Sequence, residues 1–174
     1  YALAFSRSNL SDFYVSTFKN GRGIVYLVRD NFFTLDTILD LRGEAVYDFI
    51  VRDDALYLGL SDGRVLMYTP TNQSFRVLTA FGAPFTRFTA SVSGSFPFYA
   101  TLGARKFIRY DGRRFIETDF SGSLSSLRTI SSFSIDPRNA SLVYAATDLG
   151  LARSTNAGRT WSLLTSLPSD TSAL

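Results

Sequence analysis

Cysteine and histidine are both absent from the 174 residues, so any chemistry this chain performs rests on carboxylates, tyrosines, serines and arginines. Thiol nucleophiles, histidine-based triads, disulfides and the usual zinc ligand sets are removed together. No metal and no cofactor is expected. Hydrolysis of a glycoside with inversion needs two carboxylates facing each other across a cleft. The only glutamates are Glu44 and Glu117, while Asp48, Asp53, Asp54 and Asp136 fall near the ends of expected strands. Asp53-Asp54 and Asp136 read as turn formers, because a short carboxylate bonds its own backbone two residues on. Asp48 is the single candidate kept for catalysis, and no other catalytic residue is assigned.

A second chemistry is electrostatic. Arg105, Lys106, Arg109, Arg113 and Arg114 cluster in one stretch with Phe107 and Tyr110 interleaved. Basic residues beside aromatics can track a phosphate backbone and stack bases. The plainer reading is an outer strand edge kept positive against strand-to-strand pairing. Asp111, Glu117 and Asp119 dilute the field and favour that reading, so the strip is a candidate anion-binding surface and nucleic acid is not the expected partner. Three Asn-x-Ser sequons, at Asn9, Asn72 and Asn139, fall in expected turns and are candidate glycosylation sites. The formal charge is +3, and 16 of the 18 basic residues are Arg, a bias that fits a habitat or genome as well as a function.

The elements that position these groups follow from an internal repeat. Ser8–Thr17 lies over Arg138–Thr147 at a constant offset of 130 residues, with Asn, Ser, Tyr and Thr recurring in place. Tyr14, Tyr57, Tyr99 and Tyr144 each close a short apolar run, at spacings of 43, 42 and 45 residues. A period of this size marks small units that must stack to bury their faces. Hydrophobic residues make up 45% of the chain, with 16 Phe and 9 Tyr, types suited to half-buried pleated surfaces.

Each unit parses into four strands. The second is clearest: 46–51, a turn at Asp53-Asp54, 55–60, a turn at Ser61-Asp62-Gly63, 64–68, a turn at Pro70-Thr71-Asn72, then 75–78. Asp-Gly between apolar runs signals a hairpin because both turn positions tolerate positive φ. The first unit offers 3–5, 13–15, 24–28 and 33–35, with Asn20-Gly21 between its middle strands. The third offers 88–92, 96–100, 106–110 and 115–117, and the fourth 132–135, 142–146, 151–154 and 161–164. Sixteen short strands in four meanders describe an all-β fold, four four-stranded antiparallel blades of a β-propeller. A β-sandwich, a barrel or a β-solenoid would also use short strands, but none explains the repeat as directly. The blades are expected at about 1–42, 43–84, 85–124 and 125–167, with 168–174 leading toward a further blade.

The most specific motif lies in the fourth unit. Ser154-Thr155-Asn156-Ala157-Gly158-Arg159-Thr160-Trp161 resembles the Asp-box, Ser-x-Asp-x-Gly-x-Thr-Trp, and Ile135–Asn139 with Leu142–Thr147 resembles the rest of such a repeat. The resemblance is to the Asp-box (BNR-type) propellers of sialidases, xyloglucan-degrading glycosidases, sortilin-type receptors and photosystem II assembly factors. It covers about 40 residues closely and the remainder in outline. It implies a hairpin between a blade's third and fourth strands, bonded by Ser154 and Asn156, turned by Gly158 and sealed by Thr160 and Trp161, with Trp161 packed between blades. In those families the box lies on the rim, so these five residues are expected to be structural. Asn156 stands where the motif has Asp, and is expected to keep the turn because Asn tolerates the left-handed conformation and bonds two residues on. A sialidase would further need three arginines converging on a carboxylate and a tyrosine activated by a glutamate, and neither Glu44 nor Glu117 neighbours a tyrosine on an equivalent inner strand.

The expectation from sequence is a non-catalytic β-propeller segment of a larger propeller, an interaction or assembly module located outside the cytoplasm, at a cell surface or on a virion. Protein partners or assembly subunits are expected, a glycan is a further option, and no run of 18 apolar residues is present to span a membrane. The alternatives are a fragment of a glycosidase or sialidase-like enzyme whose catalytic residues lie in other blades, and a polyanion-binding module using the Arg105–Arg114 strip. Hemopexin-like closure of four blades is disfavoured, since it uses a disulfide.

Overall fold

A computed structural model describes residues 2–5, 11–29, 34–90, 98–118, 120 and 124–164. Among them lie sixteen strands: β1 (Leu3–Phe5), β2 (Phe13–Lys19), β3 (Arg22–Arg29), β4 (Thr34–Arg42), β5 (Val46–Arg52), β6 (Ala55–Leu60), β7 (Arg64–Thr69), β8 (Ser74–Ala80), β9 (Phe85–Ala90), β10 (Phe98–Leu102), β11 (Lys106–Tyr110), β12 (Phe115–Glu117), β13 (Ile130–Ile135), β14 (Val143–Thr147), β15 (Gly150–Ser154) and β16 (Ser162–Leu163). They form four antiparallel sheets of four, each in sequence order, β1 to β4, β5 to β8, β9 to β12 and β13 to β16. Every strand therefore pairs with its chain neighbour, as the repeat requires. The largest difference from the sequence reading is β4, which continues to Arg42 through a bulge opposite Val25 and Tyr26. Its run of Asp and Thr between Leu and Ile hid a long outer strand. The expected link at 168–174 lies outside the described residues.

The turns show which local chemistry sets the hairpins. Asn20 and Gly21 both have positive φ, 53° and 72°, as do Asp53 and Asp54, 46° and 57°, so both pairs make the two-residue turns whose twist matches the strands they join. The two Asp-Gly turns differ from expectation: only the glycine is left-handed, Gly63 at 86° and Gly112 at 94°. Asp62 and Asp111 instead use Oδ1 to accept the amide of the residue two ahead, Arg64 or Arg113, at 2.9 Å. Gly63 is also sterically required, since a Cβ there would overlap the carbonyl oxygens of Phe81 and Ala83. Gly63→Ala is expected to cost about 1–3 kcal/mol from the backbone conformation alone, with more from that overlap. A urea midpoint unchanged within error would refute this.

A backbone bond recurs once per sheet. A residue within the second strand of the first sheet, and the residue just past the second strand of the others, donates to the carbonyl just before the first strand: Ser16 to Ala2 (3.0 Å), Ser61 to Ala45 (2.9 Å), Gly103 to Pro84 (2.7 Å) and Asp148 to Thr129 (3.1 Å). In three sheets a side chain returns the favour, Ser16 Oγ accepting from Ala2 N and Ser61 Oγ from Ala45 N at 2.9 Å, and Asp148 Oδ1 from Thr129 N at 3.0 Å. The third sheet has glycine and proline at these places. Proline has no N–H to satisfy, so the missing acceptor leaves no donor unpaired. The amides of Thr129 and Arg128 hold the Asp148 carboxyl below the usual aspartate range.

The chain divides into two compact units, Tyr1–Phe88 with Ala100–Gly103, and Thr89–Tyr99 with Ala104–Leu174. The core of the first is built from Tyr14, Val25, Leu27, Phe49, Val51, Leu56, Leu58 and Leu60, with Ile38, Leu39 and Leu41 against it. That of the second holds Tyr99, Phe107, Phe133, Val143, Ala145, Ala152 and Trp161. All six residues of β6 and all five of β10 are buried, which is why Ala-Leu-Tyr-Leu-Gly-Leu reads as one apolar run. Strands covered on both faces lose the alternation seen in strands covered on one.

Candidate functional site

Asp48 pairs with Gly59 just after a bulge in β5, where Tyr47 is the extra residue between it and Val46. Its carboxylate is half-buried and engaged on both oxygens: Oδ1 accepts from Phe49 N at 2.9 Å and Oδ2 from Phe88 N at 2.6 Å. Burial pushes its carboxyl above the usual aspartate range, while the two amides and Arg87 pull the other way. Asp48, the candidate kept for catalysis, is thus a carboxylate tying β5 to β9. Glu44 pairs with Arg64, and Glu117 with Lys106 at 3.3 Å. Asp53 and Asp54 form the left-handed turn already described, and Asp136 Oδ1 accepts from Arg138 N and Asn139 N at 2.7 and 3.0 Å. Among the described residues no group of three or more acidic side chains could hold a metal ion.

The 154–161 turn, between β15 and β16, is held by side chains. Ser154 Oγ accepts from Gly158 N at 2.8 Å and Asn156 N at 3.3 Å and donates to Asn156 Oδ1 at 3.0 Å. Asn156 Oδ1 also accepts from Thr160 N at 2.9 Å, and its Nδ2 donates to Thr160 Oγ1 at 2.8 Å. The left-handed residues are Ala157 (φ 59°) and Gly158 (φ 77°), not Asn156, and the asparagine reaches four residues on rather than two. Trp161 donates from Nε1 to Gly158 O at 3.1 Å, meets Phe107 edge-on at 5.0 Å and stacks on Phe120 at 5.6 Å. Thr118 closes the turn from the preceding sheet through a hydroxyl bond to Gly158 O. All of these groups belong to the second unit.

Asn156 does what an aspartate would do at Oδ1 and adds an amide donor. Asn156→Asp is therefore expected to change stability by less than about 1 kcal/mol at neutral pH, because the Thr160 hydroxyl can turn to donate instead. The new carboxylate, accepting a backbone amide, would titrate below its unfolded value. Its contribution is present above the unfolded carboxyl range and is lost as pH falls through the lowered folded value. Thermal melts of both proteins between pH 7 and pH 3 would show the variant losing ground only in acid.

The basic strip is less open than its sequence suggests. Phe107 is wholly buried and Tyr110 nearly so, so neither can stack on a base. Lys106 pairs with Glu117, and Arg114 reaches Asp111 at 3.9 Å. Arg109 is half-buried, and its buried Nε finds no hydrogen-bond partner among the described residues. Arg105 and Arg113 are exposed in the turns flanking β11, and Asp119 lies outside the described residues. The sequons at Asn72 and Asn139 are exposed in turns, each Oδ1 accepting from the amide of the following serine, Ser74 N at 3.2 Å and Ser141 N at 3.0 Å. Asn9 lies outside the described residues.

One grouping escaped the sequence reading. Arg52, ending β5, is completely buried, although an arginine next to an Asp-Asp turn reads as solvated. In the same unit the Tyr14 and Tyr68 phenols are raised above the usual tyrosine range, first by burial, with Arg29 pulling both down and Asp12 and Asp54 adding to the rise at Tyr14. The signal available was that Tyr14, Tyr68, Arg52 and Asp54 all sit at strand ends on the same edge of consecutive hairpins.

No protein-family model matches the sequence, and no curated protein matches it. The fold is matched by solved structures. An ancestral GH74 enzyme superposes with TM-score 0.71 at 17% identity, over 97% of this chain and 24% of its own. The GH74 xyloglucanase of Xanthomonas campestris does so with TM-score 0.71 at 15% identity, over 91% and 29%. YCF48 bound to a D1 peptide gives TM-score 0.57 at 13% identity, over 84% and 51%. At these identities the likeness is one of fold. The four sheets are blades of a β-propeller, and the chain spans about a quarter of the GH74 enzymes it matches.

Proposed function

We propose that this chain is a non-catalytic interaction or assembly module of the Asp-box propeller kind, acting outside the cytoplasm, at a cell surface or on a virion. The carrying observation is the state of its carboxylates. Asp48 is bonded to two backbone amides, Glu44 and Glu117 are ion-paired, and Asp53, Asp54 and Asp136 shape turns. Each is consumed by structure, whereas acid–base hydrolysis needs two carboxylates free to face a substrate. The 154–161 turn, with its Ser154, Asn156 and Thr160 bonds and packed Trp161, supports the Asp-box reading. The likeness to YCF48 bound to a D1 peptide supports a peptide or protein partner over a small molecule, and the exposed Asn72 and Asn139 turns support a compartment in which sequons are read.

The test is turnover. Incubation with xyloglucan, a β-glucan and a sialoside should release neither reducing ends nor sialic acid above a buffer control. Turnover that disappears in Asp48→Ala would overturn the proposal. It would favour the second reading, a fragment of a GH74-like glycosidase, for which Asp48 has one property of a general acid, a pKa raised by burial. Location is tested separately: passage of the chain through a eukaryotic secretory pathway should add glycan mass that Asn72→Gln plus Asn139→Gln reduces.

A further inference from the structure

The fourth strand of each sheet has one edge with no described strand beside it, and the N–H and C=O groups along such an edge are a template for any extended chain. Short length, bulges and charge are the devices that blunt it. β12 and β16 have only three and two residues, and Glu117 of β12 is paired with Lys106. β4 is long, but a bulge divides it, and its Asp36 and Asp40 are held by Arg29 and Arg22. β8 lacks these guards over its first half. From Ser74 to Val77 it runs in unbroken register with Thr69 to Leu66, and its bulge falls only after Val77. The strand lies mid-chain, and the links on either side of its sheet, 43–45 and 81–84, are too short to supply a fifth strand.

The side chains of this stretch specify what would pair with it. All four are exposed. Phe75 and Val77 stand opposite Tyr68 and Leu66, two residues of the core of the first unit. Phe75 is 38% and Val77 54% exposed, yet the Phe75 ring is fixed by stacking on Tyr68 at 4.6 Å. A ring already held in place loses little freedom when its open side is covered. Between them Arg76 takes the other face of the pleat, and within its unit it has no ion pair or hydrogen bond. An incoming strand would set side chains beside Phe75 and Val77 on one face and beside Arg76 on the other. The first two positions call for apolar residues, and charge complementarity makes the one between them acidic.

We infer that the 74–77 edge of β8 is a docking site for an extended segment of a partner protein with the pattern apolar-acidic-apolar, which joins the sheet as a fifth strand. Backbone hydrogen bonds supply the grip and the alternating side chains select the sequence. The inference rests on the interaction-module reading and names where that module binds and what it binds.

The experiment titrates the 174-residue chain into fluorescein-labelled Thr-Thr-Val-Glu-Val-Thr-Thr and follows anisotropy. Saturable binding with Kd below about 1 mM is expected, and the amide resonances that shift should be those of β8 and β7. Lysine in place of the peptide's glutamate should weaken binding at least about fivefold. Prolines in place of both valines should abolish it, because proline cannot donate to a ladder. Arg76→Glu should reverse the order of the glutamate and lysine peptides, a result that misfolding does not produce, and Val77→Lys should weaken both, with circular dichroism unchanged. A chain that turns over no glycan and binds none of these peptides would overturn the inference and leave the interaction reading standing, whereas glycan turnover would overturn that reading whatever the peptides do. Shifts confined to other strands would also overturn the inference. So would concentration-dependent shifts of the β8 amides without peptide, the mark of a second copy on this edge. Binding by this chain that is lost in a longer natural protein would mean that the edge is filled from within, and would overturn it as well.

Discussion

Phe107→Ala is expected to destabilise the second unit by about 3–5 kcal/mol, the range for removing a fully buried aromatic ring. Phe107 has no exposed surface. Its ring stacks on Tyr99 at 5.4 Å and meets Phe133 and Trp161 edge-on at 5.1 and 5.0 Å. It thereby joins its own sheet to β13 and to the 154–161 turn. A Cβ on Gly158 would stand 2.5 Å from Phe107 Cε1, so the ring and the turn are packed without slack. The cavity would be lined by three aromatic rings held by separate strands, and these cannot all collapse inward. Trp161 is the only tryptophan, so its fluorescence reports on this cluster. Urea unfolding followed at that residue should move to lower midpoint with little change in slope. Phe107→Leu, which refills most of the volume, should recover more than half of the loss. A shift under about 1 kcal/mol for Phe107→Ala would mean that the turn is held by its hydrogen bonds alone.

The strands were legible because their period is local. Each hairpin carries its own turn residues, and each strand pairs with its neighbour in sequence, so no long-range choice had to be guessed. What could not be read was direction and cover. Phe107 and Tyr110 look the same in sequence as surface aromatics set between basic residues, and only the packing of Phe133 and Trp161 shows that Phe107 points inward. Asn156 was read as the left-handed residue from its type, yet the bonds from Ser154 Oγ to Gly158 N and from Thr160 N to Asn156 Oδ1 place the strain one position on, at Ala157. The burial of Arg52 has no local signature in the sequence.

Asp48 provides the other large effect, and its sign depends on pH. Asp48→Ala removes the acceptor that Phe49 N and Phe88 N share. Loss of a partner for a buried amide costs about 1–3 kcal/mol each, so a deficit of about 2–5 kcal/mol is expected at neutral pH. Asp48→Asn tests the charge separately. Burial raises the folded pKa of this carboxyl above its unfolded value, so the folded state binds the proton more readily. Stability is then greatest below the unfolded value and falls as pH rises from there through the raised folded value. The parent protein should lose stability across that window, and Asp48→Asn, which keeps an oxygen acceptor but cannot ionise, should not. Denaturation midpoints measured from pH 3 to pH 7 in both proteins would show the parent falling relative to Asp48→Asn as pH rises if burial dominates. A parent that gains on the variant as pH rises would mean that the two amides outweigh burial and hold the carboxylate ionised, as they would for a purely structural staple.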